Sequence, residues 1–184
     1  MSMSRLIAVC LLTGVLLVVG LGHGLAAENM VQNPTFADAD KVIPPTGWDI
    51  YGTLGDSTIT LVHADNPEER ALHIADRVSA AGAPGEIGLV QRYIPVKPNQ
   101  AYRLSAAVKA VPGATTDGAH FQLRFLPSGE RIDIPLGSLS TTSFSEIVIE
   151  GVSPADTKTV VIYIYTLAAK TPQFLIREVK LAEM

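Results

Sequence analysis

The sequence predicts an all-β fold, with about ten short strands arranged as an antiparallel β-sandwich. Short runs rich in β-branched and aromatic residues alternate with turn signals such as Val111-Pro112-Gly113. No stretch keeps an apolar period of about 3.6 residues over several helical turns. The 184 residues also include 15 glycines and 12 prolines, as expected for many turns. The predicted strands are 48–51, 58–63, 71–75, 88–94, 100–110, 120–125, 132–135, 144–150, 159–165 and 173–181.

Three of these strands alternate strictly, which predicts one face toward the core and one face away from it. The predicted inward set is Phe121, Leu123 and Phe125; Tyr102, Leu104, Ala106 and Val108; and Val160, Ile162 and Ile164. The alternate positions carry hydrogen-bonding groups and aromatic rings instead of dense charge. A face kept only for solubility would more often be densely charged. The pattern therefore favours a binding surface.

The first 27 residues are predicted to be a signal peptide. A short start with Arg5 precedes the apolar stretch 6–21, and small residues up to Ala27 precede the polar Glu28. The alternative is an uncleaved anchor, because residues 6–27 could span a bilayer of about 30 Å. In both cases residues 28–184 are expected to form one domain outside the cytoplasm, secreted or in the periplasm or at the cell surface.

Charge and cysteine content exclude several classes of function. Residues 28–184 carry 13 Lys and Arg against 18 Asp and Glu. This acidic balance gives no reason to expect a nucleic acid as partner. The only cysteine, Cys10, lies in the predicted signal. The rest of the chain therefore has no disulfide, no thiolate nucleophile and no cysteine-built metal site.

The sequence does not predict an enzyme. It has no G-x-S-x-G elbow, no H-E-x-x-H motif, no P-loop and no dinucleotide fingerprint. His63, Asp65 and His73 could offer two imidazoles and a carboxylate to zinc, but their spacing fits no tight metal motif. A glycosidase needs two acids across a groove. The four acids considered for such a pair are interpreted as solvated charge: Glu130, Asp133, Glu146 and Glu150. No catalytic residue and no metal ligand is predicted.

A carbohydrate site is the better interpretation of the outer faces. Sugars present hydroxyl groups and patches of C–H, so their sites combine aromatic rings with amide and guanidinium groups. For each ring the alternative is core packing, most strongly for Trp48, and Arg124 could instead pair with an acid across strands. Tyr51 is a further available ring. The candidate ligand-binding residues are Gln91, Tyr93, Arg103, His120, Gln122, Arg124, Tyr163 and Tyr165.

Segments along the whole of residues 28–184 resemble the carbohydrate-binding modules of the galactose-binding-like jelly-roll type, the group that contains families four, nine and twenty-two. Residues 29–36 (NMVQNPTF), followed by Gly47-Trp48, are similar to the opening of these modules. Residues 71–74 (ALHI) are similar to a short internal strand. The most specific segment is 91–105 (QRYIPVKPNQAYRLS), and the segments 161–165 and 174–181 complete the order.

The resemblance implies two packed antiparallel sheets and a glycan site on the concave sheet or at a loop edge. Many members hold a structural calcium between the opening strand and an acidic pair in the last strand. Here the first acid, Asp38, comes one position late, and Arg177 puts a cation before Glu178. Calcium needs hard oxygen ligands, so no cofactor is expected. The residues expected to line the concave side are Gln91, Tyr93, His120, Gln122, Arg124 and Tyr163.

The sequence therefore predicts a non-catalytic, secreted carbohydrate-binding module that recognises a polysaccharide or oligosaccharide. The alternative is an extracytoplasmic envelope domain for adhesion or protein interaction that binds no glycan. The expected partner is a glycan, with a separate glycan-active enzyme or an envelope protein as a further partner. Contact with a membrane is expected only if the N-terminal segment stays uncleaved.

Overall fold

The computed structural model describes residues 28–53, 55–64, 69–78, 86–167 and 170–184. The predicted signal peptide, residues 1–27, lies outside these ranges. In chain order the strands are β1 (Asp49–Thr53), β2 (Thr58–His63), β3 (Arg70–Ala75), β4 (Glu86–Pro95), β5 (Ala101–Ala110), β6 (Ala119–Leu126), β7 (Arg131–Pro135), β8 (Ser145–Val152), β9 (Thr159–Thr166) and β10 (Gln173–Glu183).

The strands form two five-stranded sheets in which every neighbouring pair is antiparallel. The first sheet has the order β1-β4-β9-β6-β7, and the second has the order β2-β3-β10-β5-β8. All ten predicted strands are present, and their ends differ from the prediction by one or two residues at most. The predicted all-β sandwich is confirmed.

The core lies between the two sheets and is built from the predicted inward set. Phe121, Leu123 and Phe125 of β6 are each at most 2% exposed, as are Val160 and Ile162 of β9. The same cluster contains the inward residues of β5. Burying these side chains removes apolar surface from water, which is the main stabilising contribution for a sheet pair without disulfides.

The only tryptophan belongs to this core. Trp48 is 3% exposed, and its ring centroid lies 5.5 Å from that of Phe36. The indole N–H donates to the carbonyl oxygen of Asn33 at 3.4 Å. Of the two interpretations of Trp48, core packing is the correct one.

The N-terminal segment connects the two sheets. The amide of Gln91, in β4 of the first sheet, accepts from the Gln32 N–H and donates to the Gln32 carbonyl, each at 2.9 Å. On the second sheet, Asn29 donates to the Val179 carbonyl at 3.1 Å and accepts from the Leu181 N–H at 3.0 Å. These bonds hold the segment against both layers.

No stretch within the ranges given above forms a helix of the length and apolarity needed to cross a lipid bilayer.

Candidate functional site: a tyrosine and arginine recess on the first sheet

The strand register brings polar and aromatic side chains from four strands onto the outer face of the first sheet. Tyr51 pairs with Gly88, Gly88 with Tyr165, and Tyr165 with His120. Paired residues point to the same face of a sheet, so these four positions form one row across β1, β4, β9 and β6. The next row, two residues along each strand, contains Asp49, Val90, Tyr163, Gln122 and Asp133.

Three tyrosine rings pack against each other in these rows. Tyr51 lies 5.5 Å from Tyr163 and 5.4 Å from Tyr165, with the ring planes at 82° and 69°. Tyr163 and Tyr165 lie 6.4 Å apart at 75°. Edge-to-face contacts of this kind are favourable, because the positive edge of one ring meets the negative face of another. The rings therefore form walls at steep angles and not one flat platform.

Asp133 of β7 is the centre of the hydrogen bonds on this face. Its Oδ1 lies 2.9 Å from His120 Nδ1, and its Oδ2 accepts from Gln122 Nε2 and from the Tyr165 hydroxyl, both at 2.7 Å. Both oxygens of the carboxylate are thus engaged. The network fixes the orientation of three side chains from two neighbouring strands.

The same contacts set the charge state of the network. Burial opposes ionisation of Asp133, but the hydrogen bonds from Tyr165, His120 and Gln122 outweigh it and lower the pKa of the carboxyl group. For Tyr165, burial and the bond to Asp133 both raise the pKa of the phenol. Near neutral pH the network therefore consists of a carboxylate and a protonated phenol that donates to it.

Tyr51 is held in a similar way at the other side of the face. Its hydroxyl donates to Glu86 Oε1 at 2.9 Å. Burial, followed by the bond to Glu86, raises the pKa of this phenol. The ring of Tyr51 thus has a fixed position against Tyr163 and Tyr165.

Two arginines complete the site. Arg124 of β6 and Arg131 of β7 are paired positions on neighbouring strands. The Arg124 guanidinium lies 5.3 Å from the ring centroid of Tyr163, within the range of a cation–π contact. A small cavity of about 130 Å³, called the recess below, opens between these groups. It is lined by Tyr51, Gln122, Arg124, Arg131, Tyr163 and Tyr165.

Five of the eight predicted ligand-binding residues come together on this face. They are His120, Gln122, Arg124, Tyr163 and Tyr165. Strand alternation was the signal that found them. Their role in binding stays a prediction.

Three residues of the site were not among the predicted ligand-binding residues. Tyr51 was noted only as an available ring, and Arg131 had no distinguishing signal in the sequence. Asp133 was interpreted as solvated charge, and that interpretation is wrong, because its side chain is only 23% exposed and accepts three hydrogen bonds.

Two of the predicted residues do not belong to this face. Gln91 is 2% exposed and pairs with the core residue Ile162, so it points to the inner side of the first sheet. Arg103 lies in β5 of the second sheet and forms ion pairs with Glu150 at 2.6 Å and Glu146 at 3.4 Å. The expectation that these two side chains share one surface with the tyrosines is wrong.

Tyr93 occupies an irregularity of β4 between its pairings with Ile162 and Val160 of β9. Its φ is 58°, and it is 67% exposed. It does not line the recess. The role of Tyr93 in ligand binding therefore stays a prediction, and it does not concern the recess.

The residues at the implied calcium position do not fit that ion. The Asp38 carboxylate accepts from Asn33 Nδ2 at 2.6 Å and from the Thr46 N–H at 3.2 Å, which stabilises its own loop. Arg177 forms an ion pair with Glu69, and its guanidinium stacks on Phe144 at 4.4 Å. In the part of the chain that the structure describes, no three His, Cys, Asp or Glu side chains are grouped as metal ligands.

His63 and His73 also do not meet. In the pairing of β2 with β3, His63 is opposite Arg70 and His73 is opposite Thr60. These two pairs are an odd number of residues apart along the strands, so the two imidazoles point to opposite faces. Asp65, the third group considered for zinc, lies outside the described residues.

Neither a protein-family model nor a curated protein matches the sequence. The CBM22-1 xylan-binding domain from Paenibacillus barcinonensis Xyn10C matches the structure with a TM-score of 0.55 at 12% identity, over 86% of this chain and 96% of that one. TmCBM61, solved with β-1,4-galactotriose, matches with a TM-score of 0.54 at 14% identity, over 86% of this chain and 100% of that one. The chain has the jelly-roll fold of carbohydrate-binding modules. The predicted resemblance is thus confirmed for the fold.

The same fold also occurs in proteins with other activities. A cyclase from Fischerella sp. TAU, in complex with 4-(1H-indol-3-yl)butan-2-one, matches with a TM-score of 0.60 at 13% identity, over 84% of this chain and 96% of that one. The enzymatically active domain of bacteriophage CBA120 tailspike protein 4 matches with a TM-score of 0.57 at 19% identity, over 85% of this chain. This chain spans only 21% of the length of that tailspike domain. Because one fold carries several functions, the function is argued from the recess itself.

Proposed function

We propose that the protein is a non-catalytic carbohydrate-binding module that acts outside the cytoplasm and binds a glycan at the recess. The observation that carries this proposal is the convergence of three tyrosine rings, an amide and two guanidinium groups in one cavity. Sugars offer C–H patches for ring faces and hydroxyl groups for polar side chains. The recess supplies both kinds of partner on a rigid sheet.

The shape of the recess favours a short ligand segment. Its volume of about 130 Å³ is below the roughly 300 Å³ at which sites for drug-sized ligands begin. The steep angles between the rings leave no long flat strip for a polysaccharide chain. One sugar unit, at a chain end or as a side branch, is the ligand that this geometry supports. A few contacts of this kind give about −4 to −6 kcal/mol, or a Kd in the high-micromolar to millimolar range.

The protonation states support binding over catalysis. A general acid at neutral pH needs a carboxyl group with a raised pKa, whereas the pKa of Asp133 is lowered. A tyrosine base would need a lowered pKa, whereas the pKa of Tyr165 is raised. Both groups are also engaged with each other at 2.7 Å. Asp133 is therefore proposed as a positioning residue for the groups that line the recess.

The cellular part of the proposal rests on residues 1–27 and on the fold. A signal peptide would export the module, and the fold matches carbohydrate-binding modules over 96% and 100% of their solved length. The proposed partner is an extracellular or envelope glycan, with a separate glycan-active enzyme as the second partner.

Affinity gel electrophoresis tests the proposal with the protein in gels that contain one polysaccharide each. The wild type is expected to be retarded by at least one polysaccharide, and Tyr163→Ala is expected to lose that retardation. Tyr93→Ala is the matched control, because it truncates an exposed tyrosine outside the recess. Retardation in no gel would overturn the proposal and favour the envelope protein-interaction domain. Equal retardation of wild type and Tyr163→Ala would remove the recess as the site.

A further inference from the structure

We infer that the ligand of the recess is an acidic glycan, whose uronate carboxylate binds between Arg124 and Arg131. This inference rests on the proposed function and adds the class of sugar that the site selects.

Arg124 and Arg131 are directly opposite each other on β6 and β7. Side chains at such positions share a face, and like charges there repel each other. Both line the recess. Within the described part of the chain, neither has a carboxylate within ion-pair distance. The paired cations are therefore a local cost to stability that an anion in the recess would remove.

The other arginines with defined partners show what this chain does when an arginine has only a structural role. Of the five other arginines among the described residues, four are matched with an acid, and Arg77 is not. The pairs are Arg70–Asp40, Arg92–Asp49, Arg103–Glu146, Arg103–Glu150 and Arg177–Glu69. The two recess arginines differ from this group in having no such acid.

The nearest acid on β7 does not neutralise them. Asp133 is two residues from Arg131 and points to the same face, but its oxygens accept hydrogen bonds from His120, Gln122 and Tyr165. Both of its oxygens are thus used by that network, and Asp133 does not line the recess. The charge of the recess lining is therefore positive, since its other members are tyrosines and an amide.

Among the described residues, the Arg124 guanidinium has a cation–π contact with Tyr163 and no recorded hydrogen bond. Its Nε is shielded from solvent and has no hydrogen-bond partner, while the group lies over the ring of Tyr163. A buried donor without an acceptor is costly. An anionic ligand would give this guanidinium the acceptor oxygens that the described residues do not provide.

A uronate sugar matches the whole lining. Its planar carboxylate accepts two parallel N–H bonds from a guanidinium, the geometry in which arginine is strongest. Its ring carries hydroxyl groups and C–H faces for Tyr51 and Tyr163. The protein has a formal net charge of −4, so a polyanion is not attracted by the protein as a whole. Binding of a polyuronate would therefore have to come from this local positive site.

The test compares polyuronates with their carboxyl-reduced forms, which keep the backbone and lose the charge. The probes are glucuronoxylan, which carries its uronate as a side branch, and short oligomers of galacturonate, alginate and hyaluronan, which offer a uronate at a chain end; each is titrated beside its reduced form at low and high salt. At least one acidic form is expected to bind about tenfold or more tightly than its reduced form, and this preference is expected to weaken with salt. Arg131→Gln is expected to abolish the preference. Arg131 is exposed, so this variant is expected to fold even if Arg124→Gln does not.

Arg103→Gln is the matched control. It removes the same charge from the second sheet, where Arg103 is paired with two glutamates, and it is expected to keep the preference. Equal binding of acidic and reduced forms would overturn the inference and leave the proposed function intact. A preference that Arg103→Gln and Arg131→Gln reduce equally would also overturn it. Binding to none of the acidic or neutral glycans would overturn both the inference and the proposed function.

Discussion

The rings of Tyr51 and Tyr165 lie 5.4 Å apart, although β4 separates their strands β1 and β9 in the first sheet. Neighbouring strands are about 4.8 Å apart, so the two Cα atoms are separated by about twice that distance. The position between them is Gly88, which pairs with both tyrosines. Because Gly88 has no side chain, the two rings can meet above it. One wall of the recess thus depends on a glycine.

Gly88→Ala is expected to destabilise the fold by about 3 kcal/mol or more. A Cβ atom at this position would lie 2.2 Å from the Ile164 carbonyl oxygen and 2.7 Å from the Tyr165 Cα, and backbone atoms cannot move away without disrupting the sheet. Chemical denaturation measures the loss.

Gly151→Ala is the control for this variant. The one overlap of its Cβ among the described residues would be with the terminal methyl group of Ile132, at 2.4 Å, and its next neighbours lie at ordinary contact distances of 3.8 and 3.9 Å. The end of a flexible side chain can rotate away. A smaller loss of stability is expected. Equal losses in the two variants would contradict the role assigned to Gly88.

Asp133→Ala is expected to lower the free energy of unfolding by about 3 kcal/mol, because it leaves Gln122 and the Tyr165 hydroxyl without their acceptor. The pKa of Asp133 is lowered by the fold, so its stabilising contribution is present above about pH 4 and is lost as the pH falls. Denaturation at pH 7 and pH 3 should show a large difference between wild type and variant at pH 7 and a smaller one at pH 3. Asp156→Ala, at an exposed turn position, should have the same free energy of unfolding as the wild type at both pH values. A loss that does not depend on pH would contradict an ionised Asp133.

Alkali should destabilise the protein through Tyr165. The pKa of this phenol is raised by burial and by Asp133, so the folded state keeps the proton after the unfolded chain has lost it. The stabilisation is complete below about pH 10 and falls above that value, by up to about 1.4 kcal/mol per pH unit. Thermal unfolding between pH 9 and 11.5 should show a shallower decrease for Tyr165→Phe than for the wild type. Tyr93→Phe, at an exposed position, should retain the steeper wild-type decrease, and a shallow decrease in that variant would contradict this account.

Calcium is expected to leave the melting temperature unchanged. The Asp38 carboxylate is used by Asn33 and Thr46, and Arg177 with its partner Glu69 occupies the position where the resemblance implies an acid. Thermal unfolding with millimolar calcium and with a chelator provides the measurement. A rise of several degrees in calcium, reversed by the chelator, would show a metal site that this reasoning misses.

Much of the fold and part of the site could be predicted from local sequence patterns. Alternation in β6 correctly separated Phe121 and Leu123 from His120 and Gln122, because the side-chain period of a strand is two. The same rule could have excluded Gln91 from the outer face. Gln91 lies two residues after Leu89 in β4, so both side chains point toward the core. The amide was grouped with the site because of its chemistry, whereas its position in the strand places it against the N-terminal segment.

The remaining part of the site depends on strand order and register, which the sequence of one strand does not contain. Arg103 was correctly expected to point away from the core, but only the topology assigns β5 to the second sheet. Alternation in β7 places Asp133 on the outer face, but its contact with Gln122 follows from the register between β6 and β7. Arg131 faces Arg124 for the same reason. Non-local pairing therefore determines which outer residues form a site.

Chemical-shift mapping tests the central claim most directly, because it locates the ligand without a substitution. The glycan that retards the protein in affinity gels is titrated into isotope-labelled protein, and amide and side-chain signals are followed. The account predicts shifts at Tyr51, Gln122 and Tyr163, with little change at Arg103 and its neighbours on the second sheet. Shifts confined to the second sheet, or no saturable shift on the first sheet, would contradict it.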